Sequence, residues 1–390
     1  MQVIRLLKHW LLIVLVTGCI EPFSPDIKES PKLLVISGKI TNLEGYHYID
    51  ISWSSSYDDP IIIRERNCNV TVFDDKGNVF QYQEYTPGHY RCWLAQNYLT
   101  VGTGFRVEVV TNEGKVYSSQ YDRMEPCPGI ENITHEVKTI EADDPILNSV
   151  KGIQLYIDTE ASEKEVTNLK WEIGETWEYH ASYFISDFYD GKINFMDGLV
   201  SDSLRVCFKS RGVNDIMTMS TKNYASGKIN KAPLTFIAHI NEKLGFKYSA
   251  LVRQFSLSDS AFEYWSKMQQ NMQGAGGIYD TQPIRIIGNI RSVSDHEENV
   301  LGYFWATEIK EKRFFFKNTG AFPVENFKCK PYPYTAEEFA EKLSAFTENE
   351  YPIYLINTTG LKEGPWEYAE QECFDCTKSG GTLNRPDFWQ

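Results

Sequence analysis

The sequence predicts a mainly β protein: an N-terminal immunoglobulin-like β-sandwich at residues 32–125, then a larger β-rich domain at 130–390 with two short helices. Three observations predict it. Apolar and polar residues alternate with period two in one segment after another. Asp, Asn and Gly gather between those segments. Helical periodicity with capping residues occurs only twice.

The first 18 residues have a separate purpose. Arg5 and Lys8 precede an apolar run from Trp10 to Val16, and Thr17-Gly18-Cys19 closes it. A charged start, a short apolar run and small residues at the end form the pattern of an export signal. A membrane span needs about 20 apolar residues, so this run is too short to be one. Val16-Thr17-Gly18-Cys19 resembles a bacterial lipobox, so Cys19 is expected to carry acyl chains and to become the mature N-terminus. Residues 19–31, with three prolines and no periodicity, are expected to tether lipid to fold.

Strand-like alternation begins at Leu33. Leu33–Ile40, His47–Ser54, Asn69–Phe73, Val79–Tyr85, Tyr90–Leu94, Phe105–Thr111 and Val116–Tyr121 are each expected as strands. Asp74-Asp75-Lys76-Gly77-Asn78 and Thr111-Asn112-Glu113-Gly114 carry hairpin-turn chemistry. Seven short strands with frequent turns are the pattern of an immunoglobulin-like sandwich. Glu125-Pro126-Cys127-Pro128-Gly129 marks a boundary. Beyond it, Ile153–Ile157, Leu169–Ile173, Thr176–His180, Leu204–Lys209, Leu234–Ile240, Tyr248–Phe255 and Ile284–Ile290 are expected as strands. A hairpin over Val300–Lys317 is expected to turn near Lys310-Glu311-Lys312, and Tyr351–Asn357 to close as a strand. One helix is expected near 258–273, capped by Ser258 or Ser260, with Phe262, Trp265, Met268 and Met272 near one face and a stop at Gly274. Another is expected near 335–346, with Thr335 and Glu338 as a capping box and Phe339, Leu343 and Phe346 facing inward.

Charge narrows the partners. Loss of Arg5 and Lys8 with the leader leaves 37 basic against 53 acidic residues, a net charge of −16 over 372 residues. That balance argues against nucleic acid, which needs clustered Lys and Arg, and against electrostatic adhesion to anionic lipid. Membrane attachment would come through the lipid on Cys19. Seven cysteines remain. Cys68 and Cys92 flank three consecutive strand segments, so a bridge between them is expected. Cys373 and Cys376 are candidates to pair with each other or with Cys329 or Cys207, and Cys127 is left as the spare thiol. Zinc at Cys373-x-x-Cys376 would need a second ligand pair, and the sequence offers none.

The remaining chemistry is sparse. No Gly-x-Ser-x-Gly elbow occurs, and His47, His89, His135, His180, His239 and His296 stand apart. Asp187-Phe-Tyr-Asp190-Gly191 and Asp197-Gly198 come nearest to a calcium loop but lack alternating acidic spacing, so they are expected as turns. Asp58-Asp59 and Asp143-Asp144 adjoin prolines and are expected in surface loops. No cofactor or metal is expected.

The tail Cys373-Phe-Asp-Cys376-Thr-Lys-Ser-Gly380-Gly381-Thr-Leu-Asn-Arg-Pro386-Asp387-Phe388-Trp389 resembles the ending of the Bacteroidota lipoprotein family labelled domain of unknown function 4249. Four other stretches carry the same resemblance: Cys19-Ile-Glu-Pro-Phe, Tyr248 through Ser258 into Phe262 and Trp265, Pro283 through Ile290, and Val300 through Phe304. The resemblance implies an outer-membrane lipoprotein, often encoded beside a TonB-dependent receptor, with no established catalytic residues to carry over. The tail is expected to plug an apolar groove with Phe388 and Trp389. Three roles compete: a non-enzymatic accessory or ligand-binding protein working with a TonB-dependent receptor, an extracytoplasmic hydrolase using dispersed carboxylates, and a structural or adhesive surface lipoprotein.

Overall fold

A computed structural model describes residues 32–389 apart from 56–60, 142–148, 161–166, 196–202, 225–226, 240–241, 274–283, 325–328 and 363. The leader, Cys19, the tether, both expected acidic pairs, Asp197-Gly198 and Gly274 lie outside the described residues. No helix among those described is long and apolar enough to cross a membrane.

The protein is mainly β. Nine strands open it: β1 (Leu34–Thr41), β2 (Gly45–Trp53), β3 (Ile63–Arg64), β4 (Asn69–Asp74), β5 (Val79–Thr86), β6 (His89–Leu94), β7 (Gly104–Val110), β8 (Val116–Ser119) and β9 (Asp122–Arg123). Then come β10 (Ile130–Glu141), β11 (Ser149–Thr159), β12 (Asn168–His180), β13 (Asp187–Tyr189), β14 (Ile193–Phe195), β15 (Val206–Gly212), β16 (Met217–Ser220), β17 (Ala232–Ala238) and β18 (Lys247–Leu257). The chain finishes with α1 (Asp259–Gln273), β19 (Ile290–Ser292), β20 (Val300–Leu301), β21 (Phe304–Thr307), β22 (Ile309–Lys317), α2 (Ala336–Ser344), β23 (Ile353–Asn357) and β24 (Trp366–Glu367).

The first sheet runs β19-β8-β7-β4-β5-β6-β2-β1-β20, with β21 also on β1. Strand β5 changes partners along its length. Val79–Tyr82 pair with β4, and Gln83–Thr86 pair with β6. Alternation buries Leu34, Ile36, Ile49, Ile51, Val70, Val72, Val107 and Val109 in one core.

Three strands of this sheet come from residues 290–307, so the unit expected at 32–125 is completed by chain that returns much later. Two glycines permit the return. A Cβ at Gly302 would stand 2.0 Å from the Ile36 carbonyl oxygen, and one at Gly288 would stand 1.8 Å from that of Gly302. Beside them the Asn289 amide accepts from the Phe304 N–H at 3.0 Å and donates to its carbonyl at 2.6 Å, acting as a strand neighbour.

In the second unit, sheet β10-β11-β17 and sheet β15-β12-β18-β22 share a core that includes Ile153, Leu155, Trp171, Ile173, Trp177 and Val252. Four expectations are corrected here. Leu169–Ile173 and Thr176–His180 are one 13-residue strand, β12, in which Gly174 is extended. Ile284–Ile290 is strand only from Ile290, since Ile284 and Ile287 are exposed. No turn forms at Lys310-Glu311-Lys312, because these lie within β22, an edge strand where charges discourage further pairing. On α1 the packed residues are Ala261, Phe262, Tyr264 and Trp265, against Tyr303 and Trp305, while Met272 is exposed. The expected capping box of α2 is present, with Thr335 Oγ1 accepting from the Glu338 N–H. A fourth sheet, β14-β13-β23-β24, carries α2 through Phe339, Leu343 and Phe346.

Candidate functional site

Two strands meet at the seam between the units. β21 belongs to the first sheet and β22 to the sheet β15-β12-β18-β22 of the second unit, and only Glu308 separates them. Glu308 accepts from the Cys127 N–H at 2.7 Å, and Asn42 accepts from the Ile309 N–H at 2.8 Å. Asp122, at the end of the first unit, is buried behind the seam. Its Oδ2 accepts from the Ala306 N–H at 2.8 Å, and its Oδ1 accepts from Ser258 Oγ. Burial pushes the Asp122 carboxyl up to about 6, against the lowering effect of those two bonds. Both oxygens are engaged, so Asp122 braces the seam. Ser258 accepts from the Ala261 N–H at 3.2 Å and so caps α1, one of the two caps the sequence allowed. Lys39 of β1 reaches Glu172 of β12 at 3.3 Å. Glu172 also holds buried Lys170 at 2.6 Å, whose ammonium lies 4.6 Å from the Trp265 ring centre.

A cavity of about 810 Å³ opens on this seam, lined by Glu125, Asn168, Lys222, Ser258, Asp259 and Phe262 among others. Glu125 follows β9, Asn168 opens β12, Lys222 follows β16, and the other three sit where β18 passes into α1. Asn168 Nδ2 donates to Asp259 Oδ1 at 2.8 Å, fixing a carboxylate in the first turn of α1, where the helix dipole favours it. Its volume is in the range of small-ligand sites. Two carboxylates, an ammonium, an amide, hydroxyls and one aromatic wall suit a polar, hydroxyl- or amine-bearing ligand. Sequence reasoning named Ser258 and Phe262 only as helix residues and Glu125-Pro126 only as a boundary, and assigned none of the lining to a site, since it comes from four separate stretches with no common motif.

The cysteines fall into two groups. Cys207 bonds to Cys376 and Cys329 to Cys373, with Cα separations of 5.7 and 5.5 Å. Cys373 and Cys376 therefore each reach across the fold and do not close on each other. Cys68 and Cys92 are free and half-buried, contrary to the bridge expected between them. Cys68 abuts β4 and Cys92 lies in β6, so β5 stands between them. Cys127 is also free and buried, donating to the Gln254 carbonyl at 3.6 Å, with its thiol pushed up to about 12 by burial.

The other singled-out residues are structural. Trp389 is buried among Phe208 and Phe315, and its Nε1 donates to Glu178 at 3.2 Å, while the Arg313 guanidinium lies over Phe388. Asp187 is buried and accepts from Asn357 and Trp366, both at 2.7 Å. Among the described residues, no three His, Cys, Asp or Glu side chains gather as metal ligands do.

Comparisons with known proteins add a family. Residues 20–313 match the family described as Domain of unknown function (DUF4249). No curated protein matches. Among solved structures, one titled "Biofilm associated protein - BSP domain" aligns at 7% identity and a TM-score of 0.14, over 75% of this chain and 62% of that one. The chain thus spans less than two thirds of that structure's length, and a likeness this faint bears on neither fold nor role.

Proposed function

The chain belongs to the DUF4249 family, and we propose that it is a lipid-anchored, outer-membrane accessory protein that holds a polar ligand for a TonB-dependent receptor. The observation that carries the binding reading is the seam cavity, built from both units and braced by Asp122 and Glu308. A pocket between rigidly joined layers is preformed, so binding costs little ordering of the protein. The lipobox-like Val16-Thr17-Gly18-Cys19 supports the anchor. The resemblance to a family often encoded beside such receptors supports the partner. The acidic balance argues against nucleic acid as a partner.

Solubilised outer membrane is the place to test this. Pull-down of the native protein should recover a TonB-dependent receptor, and Cys19→Ser should shift the protein from membrane to soluble fractions. Repeated recovery without any receptor, or unchanged membrane retention of the Cys19→Ser protein, would overturn the proposal.

A further inference from the structure

The outward face of the first sheet carries a second, unrelated cluster. Strand alternation turns His47, Ile49 and Ile51 of β2 into the core and leaves Tyr46, Tyr48 and Asp50 outside. On β6 the outward residues are His89, Arg91 and Trp93, and the register sets Tyr46 beside Trp93, Tyr48 beside Arg91, and Asp50 beside His89. Gln83 and Tyr85 of β5 extend the row. Tyr46, Tyr48, Tyr85 and Trp93 are 47, 46, 43 and 55% exposed. Large aromatics grouped in water are uncommon on a folded surface and mark contact sites.

Arg91 gives the cluster its chemistry. Its guanidinium lies 4.5 Å from the Tyr46 ring centre and 4.8 Å from that of Tyr85, held by cation–π attraction to both. Several other arginines of this acidic chain pair with carboxylates, Arg106 with Glu108, Arg123 with Asp75, Arg211 with Glu175 and Arg253 with Glu311, while exposed Arg285 and Arg291 donate to an amide oxygen and to backbone carbonyls. Among the described residues Arg91 has no carboxylate or other hydrogen-bond acceptor. Asp50, the nearest acid on this face by register, is taken by His89. A guanidinium oriented by two rings, with its N–H fork unspent, is prepared for a planar anion and matches a carboxylate through two parallel bonds.

The size of the patch selects the occupant. Four half-exposed rings leave roughly 300–500 Å² of aromatic surface in water. One side of a stable protein interface buries about 800 Å². The patch fits a short ligand better than a protein. Aromatic faces carry a negative quadrupole, which attracts the weakly positive C–H face of a pyranose. Asp50, His89 and Gln83 stand at the edge for its hydroxyls.

We propose that Arg91, Tyr46, Tyr48, Tyr85 and Trp93 form a binding site for an acidic saccharide, with a uronate carboxylate on Arg91 and sugar rings against Trp93 and Tyr48. The net negative charge of the chain opposes the anion only at range, since salt screens it beyond roughly 8 Å under physiological conditions. None of these residues lines the seam cavity, so this site stands or falls apart from the proposed receptor role.

The detergent-solubilised full-length protein can be titrated calorimetrically with tetragalacturonate and with the same oligosaccharide after carboxyl reduction, and screened on an array of uronate-bearing and neutral glycans. The acid form should bind at least about tenfold more tightly than the reduced form, the size of one charged hydrogen-bonding contact. Arg91→Gln and Trp93→Ala should each cost about tenfold or more, with an unchanged thermal midpoint, because both side chains face water. Arg91→Lys, which keeps the charge without the fork, should fall between. The proposal is overturned by equal binding of acid and reduced forms, by Arg91→Gln and Trp93→Ala binding like the parent, by silence across all uronates, or by a peptide or protein partner being the only occupant of this face.

Discussion

The first sheet and the C-terminal region hold themselves together by different means. In the first sheet, β1 and β2 have eight and nine residues, and their buried faces merge into one large apolar core. The C-terminal region, from Cys329 on, has a five-residue β23, a two-residue β24 and a nine-residue α2. Its clusters are small, and in one of them Cys329 and Cys373 are themselves core members beside Ile185, Ala369 and Phe374. Where ladders are long, Cys68 and Cys92 remain thiols; where they are short, disulfides close the structure. Cys329–Cys373 stands where buried apolar area is small, and Cys207–Cys376 ties the C-terminal region to β15 and the large core of the second unit.

The largest predicted effect follows from that contrast. Cys207–Cys376 closes a loop of 169 residues and Cys329–Cys373 one of 44. Chain-entropy reasoning gives about 5 and about 4 kcal/mol of stabilisation respectively. Paired alanine variants should therefore unfold at much lower denaturant concentration, and reductant should lower the parent's midpoint to theirs. Proteolysis of these variants should begin in residues 329–389 and leave the first sheet intact. Simultaneous loss of both regions would break the contrast.

The seam between regions gives the next effect. Asp122 has a folded-state value of about 6 against an ordinary 3.8, raised by burial. A raised carboxyl favours the folded state while protonated, so its contribution is complete below about pH 4 and is lost as pH climbs through 6. The loss is on the order of 2–3 kcal/mol. Asp122→Asn is neutral throughout and can still accept from Ala306 and donate to Ser258. The variant should lack this decline between pH 4 and 6.5 and equal or exceed the parent's stability at pH 7, as thermal melts across that range would show. Parallel curves for parent and variant would mean that Asp122 is not the group that titrates.

Which parts were legible in the sequence follows from how much each segment buries. The longer N-terminal strands of the first sheet, β1, β2 and β4 to β8, have one wet face and one dry face, so period-two alternation located them to within a residue or two, whereas β3 and β9, of two residues each, are too short to show a period and were missed. β10 was invisible because most of its twelve residues are exposed, polar Glu131, Asn132, His135 and Lys138 alongside apolar Val137 and Ile140, so no dry face repeats along it. Ile284–Ile290 misled for the opposite reason, being apolar yet exposed at Ile284 and Ile287. The return of β19, β20 and β21 to the first sheet leaves only a faint local mark, glycines at 288 and 302 whose need is set by distant backbone. The candidate site was the least legible part. Its cavity residues are scattered from Glu125 to Phe262, and each has an ordinary local reason to be where it is.

A smaller effect is confined to the C-terminal region. Thr335→Ala removes the side-chain half of the capping box on α2 and leaves the Glu338 N–H without its partner. Loss of such a cap costs about 1 kcal/mol. Denaturant melts should show that loss, and amide exchange should quicken in 336–344 with the first sheet unchanged.

The smallest effect is the sharpest test of the contrast. Cys68 and Cys92 are thiols, so Cys68→Ala and Cys92→Ala each remove only a half-buried sulfur. Each should cost less than about 1 kcal/mol, and the double variant should equal their sum, since the two share no interaction. A bridge closing the span from 68 to 92 would instead contribute about 3.5 kcal/mol, lost whole in either single variant and no further in the double. Mass spectrometry after alkylation of the unreduced, unfolded protein gives the same answer independently. Cys68, Cys92 and Cys127 should all be labelled, while Cys207, Cys329, Cys373 and Cys376 should label only after reduction. Protection of Cys68 and Cys92 would show that the first sheet too relies on a covalent link.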